Sequence, residues 1–70
     1  MYFDLEATGK RIRTLRKEAG VTQERLAEKI NISRVHLAHI ELGEKAPSVD
    51  LLIVMSEYFG VTIDYLVLGR

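Results

Sequence analysis

The sequence predicts an all-α domain built from five short helices. Apolar residues recur at the three- and four-residue spacing of helices along the chain, and no segment shows the alternation of a strand. In addition, a pattern of Gly or Asn, then Val or Ile, then Thr or Ser occurs at 20–22, 31–33 and 60–62. Gly and Asn tolerate the left-handed conformation that ends a helix, and Thr and Ser can cap the next helix. These segments therefore predict tight joints between helices.

The middle residue of each joint supports this interpretation. Val21, Ile32 and Val61 are each placed to pack against the fourth residue of the following helix, as in a hydrophobic staple. That fourth residue is a leucine every time: Leu26, Leu37 and Leu66. We therefore predict helices at about 5–19, 23–30, 34–42, 49–59 and 63–68.

The helix ends that lie outside the joints have their own signals. The first helix has two possible starts, because Asp4 and Thr8 could each cap it. The third helix should end before Gly43, and Ser48, which follows a proline, should cap the fourth. Gly69 should end the fifth. The core predicted from helical spacing contains Ile12, Leu15, Leu26, Ala27, Ile30, Leu37, Ile40, Val49, Leu52, Met55, Phe59, Ile63 and Leu66.

Length and composition limit the classes of protein that fit. Seventy residues correspond to one domain, 1–70, and a domain this small buries only about 60% of its unfolded surface. The chain contains no cysteine, which excludes disulfides and thiolate metal sites. It begins with nothing that resembles a signal peptide, and no apolar run approaches the ~20 residues of a membrane span. We expect a cytoplasmic protein without a membrane partner.

Charge is unevenly distributed along the chain, although the formal net charge is zero. Residues 10–34 contain eight Lys or Arg and three acidic residues, whereas residues 35–70 contain two basic and five acidic residues. The basic half could face an anionic partner. Ordinary solvated helix charge is the alternative interpretation.

The joint at 31–33 leaves only three residues between two helices, which predicts a steep crossing of the helix-turn-helix kind. On a helical wheel, Leu37 and Ile40 mark the core side of the second helix. The opposite side carries a mixed set of side chains: Arg34, Val35, Ala38, His39 and Leu42. A DNA major groove suits such a mixture, because arginine binds the guanine edge and apolar groups contact thymine methyls.

Two segments, RIRTLRKEAGVTQERLAEKINISRVHLAHIELGEKAPSVDLL and FGVTIDYLVLG, resemble the phage-repressor-type helix-turn-helix family, also called Cro-repressor-like or XRE-type. The resemblance covers roughly residues 8–69. It implies a compact five-helix, repressor-like DNA-binding domain, with the helix-turn-helix at about 23–42. It also implies operator binding, usually by a two-fold dimer.

The resemblance assigns roles to individual residues. Base-reading positions are Arg34, Val35 and His39, and Ser33 and His36 lie beside them. Gln23 matches a phosphate-contacting glutamine, and Arg16 with Glu41 matches a structural ion pair, with a phosphate contact as the alternative role of Arg16. Arg11, Arg13 and Lys17 are further candidates for phosphate contacts, or else solvated charges. Asn31 departs from the usual turn glycine, and Leu42 replaces a residue that is commonly polar or basic.

The sequence therefore predicts sequence-specific binding of double-stranded DNA by a non-enzymatic, repressor-like transcriptional regulator, without a cofactor. His36 and His39 have a spacing that two metal ligands could use, but no third ligand is evident, so we predict no metal site. The alternative is a protein-interaction module of the same fold, such as an antitoxin that docks a protein partner.

A homodimer that binds a near-palindromic operator is predicted from a surplus of apolar residues in the last two helices. They lie outside the predicted core: Leu51, Val54, Tyr58, Tyr65, Val67 and Leu68.

Overall fold

The computed structural model describes residues 3–70, and these form five helices with no strand among them. The helices are α1 (Leu5–Glu18), α2 (Gln23–Lys29), α3 (Arg34–Glu41), α4 (Val49–Phe59) and α5 (Ile63–Leu68). The predicted all-α fold is confirmed, and every predicted helix boundary lies within one residue of the observed one. None of these helices is long and apolar enough to cross a membrane.

A side-chain oxygen caps the start of every helix. The capping residues are Asp4, Thr22, Ser33, Ser48 and Thr62. Asp4 rather than Thr8 begins α1, since its carboxylate accepts a hydrogen bond from the Ala7 N–H at 3.0 Å. Each cap occupies one of the backbone donors that a helix start leaves unpaired. The alternative start at Thr8 is therefore wrong.

The predicted left-handed residues are present at the three joints. Asn31 has a φ of 63° and is the only residue other than glycine with positive φ in the described part of the chain. Gly20 and Gly60 take the same conformation at the other two joints. The residue after each one packs against the core, as the staple pattern predicts: Val21, Ile32 and Val61.

One apolar cluster fills the space between the helices. It consists of Ile12, Leu26, Ala27, Ile30, Leu37, Ile40, Leu51, Leu52, Met55 and Leu66. The prediction that Val49 belongs to the core is wrong, because 70% of its surface is exposed at the first position of α4. Leu51 is buried instead, beside Ile30 and Ile32 of the α2–α3 joint. Leu51 belongs to the same apolar cluster as Ile30, so the buried side of α4 includes Leu51.

The backbone of α1 lies close against that of α3 at Gly9. A Cβ atom at this position would lie 2.4 Å from the Ile40 carbonyl oxygen and 2.6 Å from that of Glu41. Only a residue without a side chain allows this backbone approach. Gly9 therefore lets α3 lie directly against α1 and determines the depth at which α3 sits.

Candidate nucleic-acid interface

The two sides of α3 differ sharply in exposure. Leu37 and Ile40 are completely or almost completely buried, whereas Arg34 is exposed and Val35 is 54% exposed. Leu42, which caps the end of the helix, is 64% exposed. Together with the half-buried Ala38 and His39, these residues form what we call the outer face of α3: Arg34, Val35, Ala38, His39 and Leu42. The sequence placed all of them on this side.

A buried ion pair joins α1 to the end of α3. Arg16 donates from Nε to Oε2 of Glu41 at 2.7 Å and from Nη2 to Oε1 at 3.2 Å, a two-pronged geometry. Its Nη1 donates to the Val21 carbonyl oxygen at 2.9 Å, which ties in the first joint. Both charged residues are less than one tenth exposed. The ion pair implied by the family resemblance is therefore present, and it is of the bidentate, charge-assisted kind.

Gln23 extends this network to α2. Its Nε2 donates to Oε1 of Glu41 at 2.9 Å, so the carboxylate of Glu41 receives hydrogen bonds from both α1 and α2. The sequence reasoning assigned Gln23 to phosphate only and missed this contact. A glutamine amide has two N–H donors, and the contact with Glu41 uses one of them. The other remains available at the half-buried surface around Gln23.

A cleft between α1 and α3 carries basic side chains next to the outer face of α3. Its lining includes Lys10 and Arg13 from α1, Gln23 from α2, and Ala38 and Leu42 at the outer face. Glu6 and Glu41 complete the lining. Arg13 is thus placed beside the outer face, as a phosphate contact requires. Lys10 is equally placed, and the sequence reasoning did not assign it a role.

The spacing on α1 could have revealed Lys10. Lys10, Arg13 and Lys17 lie at positions i, i+3 and i+7, which share one side of a helix. All three are exposed. We call them the α1 basic stripe.

Arg11 has a different position from the one predicted. Its Nη1 donates to the Leu66 carbonyl oxygen at 3.0 Å, and the guanidinium packs so close to Gly69 that a Cβ there would lie 2.7 Å from Nη2. The helix end at α5 leaves carbonyl groups without intrahelical partners, and Arg11 satisfies one of them. The structure therefore gives Arg11 a role in joining α1 to α5 that the sequence did not indicate, while its contact with phosphate stays a prediction.

The remaining predicted positions surround α3. Ser33 accepts a hydrogen bond from the His36 N–H at 3.0 Å as the cap of the helix. His36 is half-buried beside Asp50 and Leu51, on the side of α3 that faces α4. His39 lies on the outer face, with Nδ1 2.6 Å from Oε1 of Glu44, a contact that the sequence did not indicate. Within residues 3–70, no group of three His, Cys, Asp or Glu side chains is arranged to hold a metal ion.

The predicted dimer stripe is partly exposed. Val54, Tyr58 and Tyr65 each expose more than a third of their surface, and Val67 and Leu68 are half-buried. The prediction that Leu51 belongs to this stripe is wrong, because only 7% of it is exposed. The packing of α4 against the α2–α3 joint explains the difference. We call the remaining set the α4–α5 apolar surface: Val54, Tyr58, Tyr65, Val67 and Leu68.

Comparisons with known proteins point to one family. The helix-turn-helix family profile matches residues 12–66. The transcriptional regulator ImmR of Bacillus subtilis is 40% identical over 62 residues, which cover 89% of this chain and 48% of that protein. The immunity repressor of Bacillus phage phi105 is 41% identical over 59 residues, 84% of this chain and 41% of the repressor. The chain thus spans about half the length of these relatives, or less.

Solved structures agree with the sequence relatives. The P22 c2 repressor, determined in complex with a synthetic operator, superposes with a TM-score of 0.85 at 30% identity. This match covers 90% of the present chain and 96% of the repressor chain. The restriction-modification controller protein C.AhdI from Aeromonas hydrophila superposes with a TM-score of 0.82 at 28% identity, over 93% and 98% of the two chains. With its five helices, its three-residue joint and the profile match over most of its length, the chain belongs to the phage-repressor-type helix-turn-helix family.

Proposed function

We propose that this protein binds a specific sequence of double-stranded DNA and regulates transcription, in the manner of a repressor. The observation that carries the proposal is the outer face of α3, where Arg34, Val35 and Leu42 are exposed while the opposite side of the same helix is fully packed. A helix with one solvent-facing side that is not simply charged is suited to the major groove. The similar P22 c2 repressor chain was determined with operator DNA.

In this proposal, α3 lies in the major groove and Arg34, Val35 and His39 contact base edges. Arg34 is exposed at the first position of the helix, and the N-terminal residues of such a helix are the ones that contact bases. Its guanidinium could form two hydrogen bonds with a guanine, and Val35 could contact a thymine methyl.

The α1 basic stripe and Gln23 would contact the phosphate backbone beside the groove. Lys10 and Arg13 line the cleft that borders Ala38 and Leu42 of the outer face. Phosphate contacts place the protein on the duplex without reading its sequence. The free N–H of Gln23 would add one such contact, and its bond to Glu41 would fix the direction of the amide.

We further propose that two copies associate through the α4–α5 apolar surface. Val54, Tyr58 and Tyr65 are large apolar side chains that are each more than one third exposed, which costs free energy in a monomer. The domain measures 32 × 24 × 20 Å, so two copies related by a two-fold axis could hold their α3 helices about one DNA turn, ~34 Å, apart. A near-palindromic site would then be required.

Binding selection from a random double-stranded library, followed by affinity measurements at several salt concentrations, tests this function. Three phosphate contacts per chain from the α1 basic stripe predict a slope of log affinity against log salt of about −2.7 for one chain and about −5.4 for a dimer. We expect one enriched sequence with two related halves. A protein that enriches no sequence and shows no salt dependence would contradict DNA binding and would favour the protein-interaction alternative.

A further inference from the structure

Glu44 and His39 form a hydrogen-bonded pair just past the end of α3. Oε1 of Glu44 lies 2.6 Å from Nδ1 of His39, and the backbone N–H of Glu44 donates to the His39 carbonyl oxygen at 2.9 Å. The side chain of His39 remains 43% exposed and that of Glu44 57% exposed. A pair with such exposure contributes little to folding stability, so stability alone does not account for the arrangement.

The chemistry of the pair determines which nitrogen of the His39 ring carries a proton. An ionised carboxylate can only accept hydrogen bonds, so the 2.6 Å contact requires a proton on Nδ1. A neutral imidazole has one donor nitrogen and one acceptor nitrogen. With Nδ1 as the donor to Glu44, Nε2 is the acceptor. Glu44 therefore selects one tautomer of a side chain on the outer face of α3.

An acceptor at Nε2 discriminates among bases in the major groove. Adenine presents the N6 amino group and cytosine presents the N4 amino group, and both are donors. Guanine presents two acceptors, N7 and O6, which would face Nε2 without a hydrogen between them. We propose that Glu44 is a positioning residue that directs His39 toward adenine or cytosine and away from guanine. This inference rests on the proposed DNA-binding function, and its test has one part that does not need DNA.

Nitrogen-15 NMR of the His39 ring at pH 8, without DNA, tests the tautomer. We expect Nδ1 to be the protonated nitrogen and Nε2 the unprotonated one in the wild type, and we expect Glu44→Ala to move the ring toward the Nε2–H form. The chain has two histidines, so His39→Asn assigns the signals. Glu57→Ala, which removes an exposed carboxylate from α4, is the control and should change nothing. A wild-type ring protonated on Nε2, or a spectrum unaffected by Glu44→Ala, would overturn the inference.

Library selection with four proteins at pH 8 tests the base preference. The four are the wild type, Glu44→Ala, His39→Ala and the double variant. We expect Glu44→Ala to reduce discrimination against guanine about fivefold at one base pair, the scale of one hydrogen bond. In the His39→Ala background, Glu44→Ala should leave the preference at that position unchanged.

Glu44→Ala also removes a negative charge, and this charge effect alone would raise affinity for every DNA sequence by the same factor. If Glu44→Ala strengthens binding to all sequences equally, with or without His39, then Glu44 acts only through its charge and the inference is wrong. If the wild type binds no DNA, the proposed function fails and the base preference fails with it. In that case the ring nitrogen signals still decide whether Glu44 selects the tautomer.

Discussion

We predict that alanine at position 9, inside α1, destabilises the protein. Replacing a glycine inside a helix with alanine normally stabilises a protein by about 0.5–1 kcal/mol, because glycine loses more backbone freedom on folding. We expect Gly9→Ala to have the opposite effect. The new Cβ would lie 2.4 Å from the Ile40 carbonyl oxygen, whereas ordinary contact begins near 3.4 Å, so the two atoms would be about 1 Å too close.

Neither a shift of the Ile40 carbonyl group nor a separation of the two helices relieves this clash easily. The Ile40 carbonyl oxygen accepts a hydrogen bond from the Gly43 N–H at 3.0 Å, and it belongs to the backbone of α3. Separating α1 from α3 would stretch the 2.7 Å contact between Arg16 and Glu41. Overpacking of this kind costs about 1–3 kcal/mol, and the loss of ion-pair geometry adds to it. After subtraction of the alanine benefit, we expect a net loss of about 2 kcal/mol.

Urea denaturation and thermal melting measure this loss. For a domain of this size, 2 kcal/mol corresponds to a melting temperature lower by about 8–16 °C. Thr14→Ala, an exposed position in the same helix, is the matched control and should raise stability by a few tenths of a kcal/mol. Amide chemical shifts of α3 should change in Gly9→Ala and not in the control. A Gly9→Ala protein as stable as the wild type would refute the reasoning.

Further predictions concern the ion pair, the base contact and the association of two copies. Glu41→Ala should lower the free energy of unfolding by about 3–5 kcal/mol, because it leaves the buried Arg16 without an opposite charge. The double variant Arg16→Met with Glu41→Leu should lose much less, and equal losses in denaturation would contradict this. Arg34→Ala should weaken binding to the selected site by about 1–3 kcal/mol and relax the preference at one base pair. Arg13→Ala should weaken binding to all sequences equally, and fluorescence anisotropy with specific and random DNA separates the two effects. Val54→Glu should convert a sedimenting dimer into a monomer, and a variant that stays dimeric would exclude this surface from the interface.

The helices were predictable because the residues at and next to each helix end determine where it starts and stops. A joint such as 31–33 requires a left-handed residue, an apolar residue and a cap, and each requirement is met by one residue type at one position. Three joints that agree with one another leave little freedom for other helix boundaries. The outer face of α3 was predictable for a related reason, since Leu37 and Ile40 are enough to orient a short helix.

The errors arose where the answer depends on a distant part of the chain. On a helical wheel α4 offers two apolar sides, and only its contact with the α2–α3 joint decides that Leu51 is buried and Val49 is exposed. In the same way, the role of Arg11 depends on the position of the Leu66 carbonyl group near the end of α5, 55 residues further along the chain. Spacing within a helix shows which residues share a side, but it does not show which side faces which neighbour.

Three separate contacts fix the end of α3, and all of them come from other helices. Gly9 permits the backbone of α1 to approach it, Arg16 binds Glu41 from α1, and Gln23 binds the same carboxylate from α2. At its start, α3 is held by the Ser33 cap and the three-residue joint. A helix restrained at both ends loses little conformational entropy on binding. The free energy of the contacts made by its outer face is therefore not offset by a cost of ordering the helix. A chain with zero net charge and a small core could bind DNA on this basis. The buried charges of Arg16 and Glu41 position α3, and the exposed α1 basic stripe is available for phosphate contacts.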